Sequence, residues 1–185
     1  MCEPFLPSSI SFLIALGTGT GLPIEIYFIV GNMFIPLVII VWLFAIFNLT
    51  SIKKKKPILA AYIILATIIE SIFIFYLLTD VSQLGVMINP VDIDYATIVI
   101  VFLIANILIF FTTGILMTRE SLRSDKPETK LKGKFLLIAF ISFLVGAAVD
   151  SIITFPASRL ILVFSGLMFY IGFVLPEGIK TRLLK

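Results

Sequence analysis

Three carboxylates interrupt long apolar runs in this 185-residue sequence: Glu25, Glu70 and Asp150. A charge in hydrocarbon costs at least ~2.5–3.5 kcal/mol on insertion scales, so such groups are expected to face a bundle interior or a wet cavity. With Asn106, a neutral amide midway along another apolar run, they form the candidate set for binding a small ligand, a cation or a proton. Glu70 is the deepest and has no basic residue near it in sequence; its alternatives are a structural bond to Asn106 or a backbone carbonyl, or a ligand site. Asp150 and Arg159 flank a turn near Pro156 and are expected to form a structural ion pair. Glu25 falls at a helix break, where it can also cap freed backbone groups. A faint repeat links two of these positions: acid, Ser, Ile occurs at both Glu70 and Asp150.

What is missing narrows the chemistry. The chain has no histidine and a single cysteine, Cys2. Histidine-ligated haem or zinc, Ser-His and Cys-His catalysis and imidazole proton relays are therefore excluded. No catalytic residues, metal site or cofactor are expected, and the chain reads as a non-enzyme. The GTGTG run at 17–21 looks like a phosphate loop only on paper, because such a loop needs a preceding strand in a soluble βαβ unit. Helix packing is the better reading: Gly17 with Gly21, and Ser142 with Gly146, form small-residue pairs that allow close approach, and a hinge at Pro23 is the alternative for the first.

The elements that must position these residues follow from composition. Apolar side chains make up 60% of the chain, against about 45–50% in soluble domains even counting glycine. Lipid is the solvent that can take that excess, and a transmembrane helix needs roughly 20 mostly apolar residues. The expected fold is an all-α membrane protein, one bundle over 1–185 with no soluble domain. Six spans are expected, at about 8–30, 33–52, 57–79, 95–118, 135–154 and 157–176, in three hairpins. Gly31-Asn32 separates the first two, with Asn32 as N-cap of the helix from Met33. Because Gly17, Gly19, Gly21 and Pro23 break the first stretch, five spans plus a re-entrant N-terminal segment is the alternative. No strand pattern, heptad seam or low-complexity tract is evident.

Charge placement orients these spans. Of the 14 basic residues, all but Arg159 fall in segments around Lys53–Lys56, 119–134 and the C-terminal tail, whereas the opposite loop, about 80–94, carries Asp80, Asp92 and Asp94 and no Lys or Arg. The basic side is cytoplasmic by the positive-inside rule. Six spans then put both termini in the cytoplasm of a cell-membrane protein, with no cleaved signal peptide. The loop RESLRSDKPETKLKGK anchors topology on anionic lipid and leaves room for a partner; nucleic acid is not expected. Tyr27 and Tyr95 are expected in the interfacial aromatic belt, and the phenylalanines to face lipid or fill the bundle.

The segment SLRSDKPETKLKGKFLLIAFISFLVGAAVDS (121–151), followed by FYIGFVLPEGIK (169–180), resembles the membrane regions of multi-pass archaeal proteins of uncertain function. Some similar regions stand in front of signalling output domains. The resemblance covers about a third of the chain and implies a sensor-like or regulatory membrane domain. The short tail after Pro176 is expected to carry no output module, so signalling would use a separate partner. A small transporter or channel subunit coupled to protons or cations through Glu70 is the rival reading, and a packing subunit of a larger membrane complex is the third.

Overall fold

The computed structural model describes residues 6–50, 54–152 and 158–184. The chain is mostly helical, in accord with the all-α expectation. Its described helices are α1 (Leu6–Thr18), α2 (Ile24–Asn32), α3 (Ile35–Leu49), α4 (Lys55–Thr79), α5 (Thr97–Leu122), α6 (Pro127–Ile152), α7 (Ser158–Val174) and α8 (Glu177–Leu183). A single 3-10 turn at Val81–Gln83 and two short strands, β1 (Gly85–Asn89) and β2 (Asp92–Tyr95), lie between α4 and α5. Among the described residues, three helices are long and apolar enough to cross a membrane: Ile24–Leu49 taken through α2 and α3, then α4, then α5. The pair α7–α8, bent by 81°, makes a fourth if it counts as one span. These apolar helices point to membrane association. Two compact units divide the chain, Met1–Phe110 and Phe111–Lys185.

In the first unit the expected break between 8–30 and 33–52 is displaced. α1 ends at Thr18 because Gly19 takes φ 75°, the left-handed conformation that favours glycine. Pro23, with φ −54° and ψ 144°, then holds the chain extended until α2 starts. At Gly31-Asn32, by contrast, the chain does not reverse. Met33 and Phe34 stay right-handed, and the helix axis carries on into α3. Pro36 lacks the N–H that would close the preceding turn, so it interrupts the hydrogen-bond ladder without supplying a left-handed residue to turn the chain back. Asn32 is therefore the last residue of α2 and fully buried, not an N-cap.

α1 runs antiparallel to α2. Pro7 packs against Gly31, Ser8 reaches Tyr27, and Ser11 accepts from the Leu22 N–H. At 13 residues α1 is about 20 Å long, short of the roughly 30 Å hydrocarbon core. One stripe of α3, Ile35, Ile39, Leu43 and Ile46, is buried at helical spacing. The core between the helices is aromatic: Phe73 of α4 meets Phe28 at 5.3 Å and Phe102 at 5.2 Å, both edge to face.

The β-hairpin is an element that the sequence reading did not contain. Its strands pair antiparallel, Val86 opposite Asp94 and Met87 opposite Ile93, with a register irregularity between Met87 and Asn89. The Asn89 side chain accepts from the Val91 N–H at 2.9 Å and so builds the turn around Pro90. Leu84 and Ile93 are buried, anchoring the hairpin to the helices.

In the second unit α6 and α7 pack along their length. Ser165 Oγ donates to the Ala139 carbonyl at 2.9 Å, and the Phe140 ring meets Phe111 at 5.9 Å and Phe169 at 4.8 Å. α7 stops where buried Leu175 takes φ 45° and Pro176 forbids continuation. α8 is tied back to the first turn of α6 by Lys180 Nζ, 3.0 Å from Glu128.

Candidate functional site

Glu70 lies on α4 between two layers of contacts in the first unit. Toward the hairpin end is the Phe28–Phe73–Phe102 cluster. Toward the other end, Tyr62 of α4 donates its hydroxyl to Asn106 Oδ1 of α5 at 2.6 Å, and Asn106 Nδ2 donates to the Phe102 carbonyl at 2.8 Å. Glu70 and Asn106 each lie nine residues from the hairpin-bearing end of their helices, Thr79 and Thr97. No hydrogen bond joins them: Asn106 accepts from Tyr62 and donates to its own helix. Glu70 is half-buried, and its Oε1 is out of contact with water and has no hydrogen-bond partner among the described residues. A buried oxygen left unpaired costs free energy, and on a carboxyl group in an apolar helix it marks a candidate ligand position.

The neighbouring face of α4 offers little coordination. A shallow groove of about 500 Å³ is lined by Ile63, Ile64, Thr67, Ile68, Ser71 and Ile72. Both of its hydroxyls are already used within the helix, Thr67 on the Ile63 carbonyl and Ser71 on the Thr67 carbonyl. The groove is therefore an apolar surface with no free hydroxyl to coordinate a ligand.

The other sequence-derived positions separate. Glu25 is exposed in the first turn of α2, where its charge suits the helix dipole. Asp150 belongs to the second unit, and the side chains of Asp150 and Arg159, with Pro156, lie outside the described residues. Gly17 and Gly21 do not share a helix face, because α1 has ended between them: a Cβ on Gly17 would meet nothing within 4 Å, while one on Gly21 would strike the Pro90 carbonyl. Gly146 does sit in a close contact, against Leu162 of α7, whereas Ser142 is half-buried on the same helix. No protein-family model, curated protein or solved structure matches this chain. Among the described residues no three of Cys, Asp and Glu converge as metal ligands.

A second polar cluster joins α1, α2 and the hairpin. Tyr27 donates to the Val91 carbonyl at 3.1 Å, so its short contact with Ser8, 2.6 Å, is donated by the serine. Ser11 Oγ donates to the Pro90 carbonyl and accepts from the Leu22 N–H at 2.8 Å. Asn32 Nδ2 reaches Tyr95 Oη at 3.2 Å, leaving Asn32 Oδ1 buried without a partner. Sequence reasoning had Tyr27 and Tyr95 as interfacial aromatics and gave Ser8 and Ser11 no role. The available signal was the i, i+3 spacing of Ser8 and Ser11 on a mostly apolar helix, which puts both hydroxyls on one face. Carboxylate Asp80 caps the adjoining 3-10 turn: Ser82 and Gln83 donate to it and hold its carboxyl below the usual range.

Proposed function

We propose that the chain is a non-enzymatic, sensor-like membrane protein that binds a small cationic ligand beside Glu70. The observation that carries this reading is the buried Glu70 Oε1, without a hydrogen-bond partner among the described residues, as the one carboxyl of a mostly apolar span. The spans are Ile24–Leu49, Lys55–Thr79, Thr97–Leu122, the 135–152 portion of α6, and α7. α1 is a re-entrant half-helix beside α2, because its length and its antiparallel run past α2 suit one leaflet better than a full crossing. Five spans with the basic segments inside place the β-hairpin outside and α8 at the cytoplasmic surface, and α1 starts within the outer leaflet in place of a cytoplasmic N-terminus. Amphipathic α8, turned sharply from α7, suits an interfacial position on anionic lipid.

The test is thermal unfolding in detergent with Na⁺, K⁺, Ca²⁺ or tetramethylammonium added. A cation that binds only the folded state raises stability by RT ln(1 + [L]/Kd). Wild type should gain stability from at least one of these cations, and Glu70→Gln, of the same shape, should gain none. Parallel responses in the two proteins return Glu70 to a structural role.

A further inference from the structure

We propose that the outward face of the β-hairpin is a docking edge for an extended, basic segment of a partner protein, which adds to it as a third strand. Three observations converge. Among the described residues the sheet has two strands, and no further strand pairs with its edges. On β1, Val86 and Ile88 are 60% and 67% exposed, although Leu84 and Ile93 hold the hairpin firmly on the helices. On β2, Asp92 and Asp94 are exposed, and Asp94 stands directly across from Val86, so apolar and acidic side chains share the outward face.

Charge selects the occupant. The segment 80–95 holds three aspartates and no basic residue, so nothing on the hairpin neutralises this face. A second copy of the same hairpin would bring aspartates together, and an anionic headgroup would be repelled; like-charge juxtaposition is what excludes wrong partners. A strand that sets its basic side chains on the outward face answers both features, their aliphatic stems covering Val86 and Ile88 and their charged heads reaching toward Asp92 and Asp94, with main-chain bonds giving affinity and side chains giving selectivity. The rigid mounting matters too. The turn is braced by Asn89 and the Pro90 and Val91 carbonyls are tied to Ser11 and Tyr27, so little ordering is needed on the hairpin side.

The experiment places the full chain in phosphatidylcholine nanodiscs and measures anisotropy of a labelled short peptide of alternating lysine and valine. Saturable binding is expected, weakened by salt, and absent for a glutamate–valine peptide of the same length. The double variant Asp92→Asn, Asp94→Asn should bind about tenfold more weakly; asparagine keeps the acceptor that Asp92 offers the Ile93 N–H, so the hairpin is retained. Ile88→Ser should also weaken binding, and a peptide N-methylated at consecutive residues should lose it, since neither of its edges can then pair. Absence of binding, the result expected if Val86 and Ile88 rest on lipid headgroups, overturns the proposal. So does equal binding by the N-methylated peptide or by the double asparagine variant.

Discussion

The first unit joins α1 and α2 to the hairpin through hydroxyls and carbonyls, while the second brings its helices together over small residues and rings. At the hairpin end, Ser8, Ser11, Tyr27 and Asn32 each bond to a group distant in sequence. In the second unit the close approaches are at Gly114 against the Phe140 ring, Gly172 against Leu136 and Gly146 against Leu162, with Ser165 adding one hydrogen bond. Lipid tails are as apolar as leucine, so helix association in a bilayer needs either a shape match or a polar bond. Polar bonds predominate around the hairpin of the first unit and close approaches in the second. The polar bonds tie the hairpin to α1 and α2, whereas α6 and α7 are held chiefly by shape, with the Ser165–Ala139 bond between them.

The largest effect expected from breaking this contrast is steric. An added Cβ at Gly114 would lie 2.1 Å from the Phe140 ring, and one at Gly21 would lie 1.9 Å from the Pro90 carbonyl oxygen. Gly114→Ala and Gly21→Ala should each cost ~1–3 kcal/mol, as overpacking does. Gly17→Ala, with open space around it, should be neutral or stabilise by up to ~1 kcal/mol through helix propensity. Unfolding in detergent across the three variants reads the difference directly. Equal behaviour of Gly17→Ala and Gly21→Ala would restore the two glycines to a shared packing face.

A polar deletion comes next. Ser11→Ala removes the donor to the Pro90 carbonyl and the acceptor of the Leu22 N–H, and should cost ~0.5–1.5 kcal/mol, the net worth of a typical hydrogen bond, because Pro90 is exposed and Leu22 half-buried. Hydrogen exchange at Leu22 and protease access at the hairpin should rise together, since one hydroxyl serves both. A rise at the hairpin alone would mean that α1 is held by something other than this bond.

The smallest effect concerns the ion pairs that hold α8. Lys180, bonded to Glu128 and adding its positive charge, keeps the Glu128 carboxyl below its usual range; Glu128 in turn raises Lys180. A lowered carboxyl contributes stability that is present above its unfolded pKa, roughly 4.3, and is lost as pH falls through the folded value. A raised lysine contributes below its unfolded pKa, roughly 10.4, and loses it as pH rises through the folded value. Both side chains are solvent-accessible, so the effect is small and screened by salt. Glu128→Gln should flatten both limbs of a pH–stability profile; an unchanged acid limb would remove the pair from the description of α8.

Much of the helical layout was legible because hydropathy and charge act over long stretches. α4 and α5 follow the spans expected at 57–79 and 95–118 closely, and Glu70 was visible as a carboxyl in an apolar run. The hairpin was not legible, since strands of five and four residues leave too little alternation to register beside spans of this strength. The first two spans were misdivided for a related reason. Gly31-Asn32 and Gly19–Pro23 are both plausible breaks by composition, and Pro7 packing on Gly31 favours the helical conformation at the former.

By itself, then, the sequence determined that the chain is helical and lipid-compatible, that histidine chemistry is absent, and that basic charge gathers on one side of the apolar runs. These are sums over many residues, and no single contact can reverse them. Only the tertiary structure decided that Asn106 accepts from Tyr62, that Glu70 Oε1 has no hydrogen-bond partner among the described residues, that Ser11 binds the Pro90 carbonyl, and that Asp94 shares a face with Val86. Each of these depends on where one hydroxyl, amide or strand register falls in space. Hydrogen bonds are short and directional, so a pairing between residues far apart in sequence is settled by packing and leaves no periodic trace in the chain.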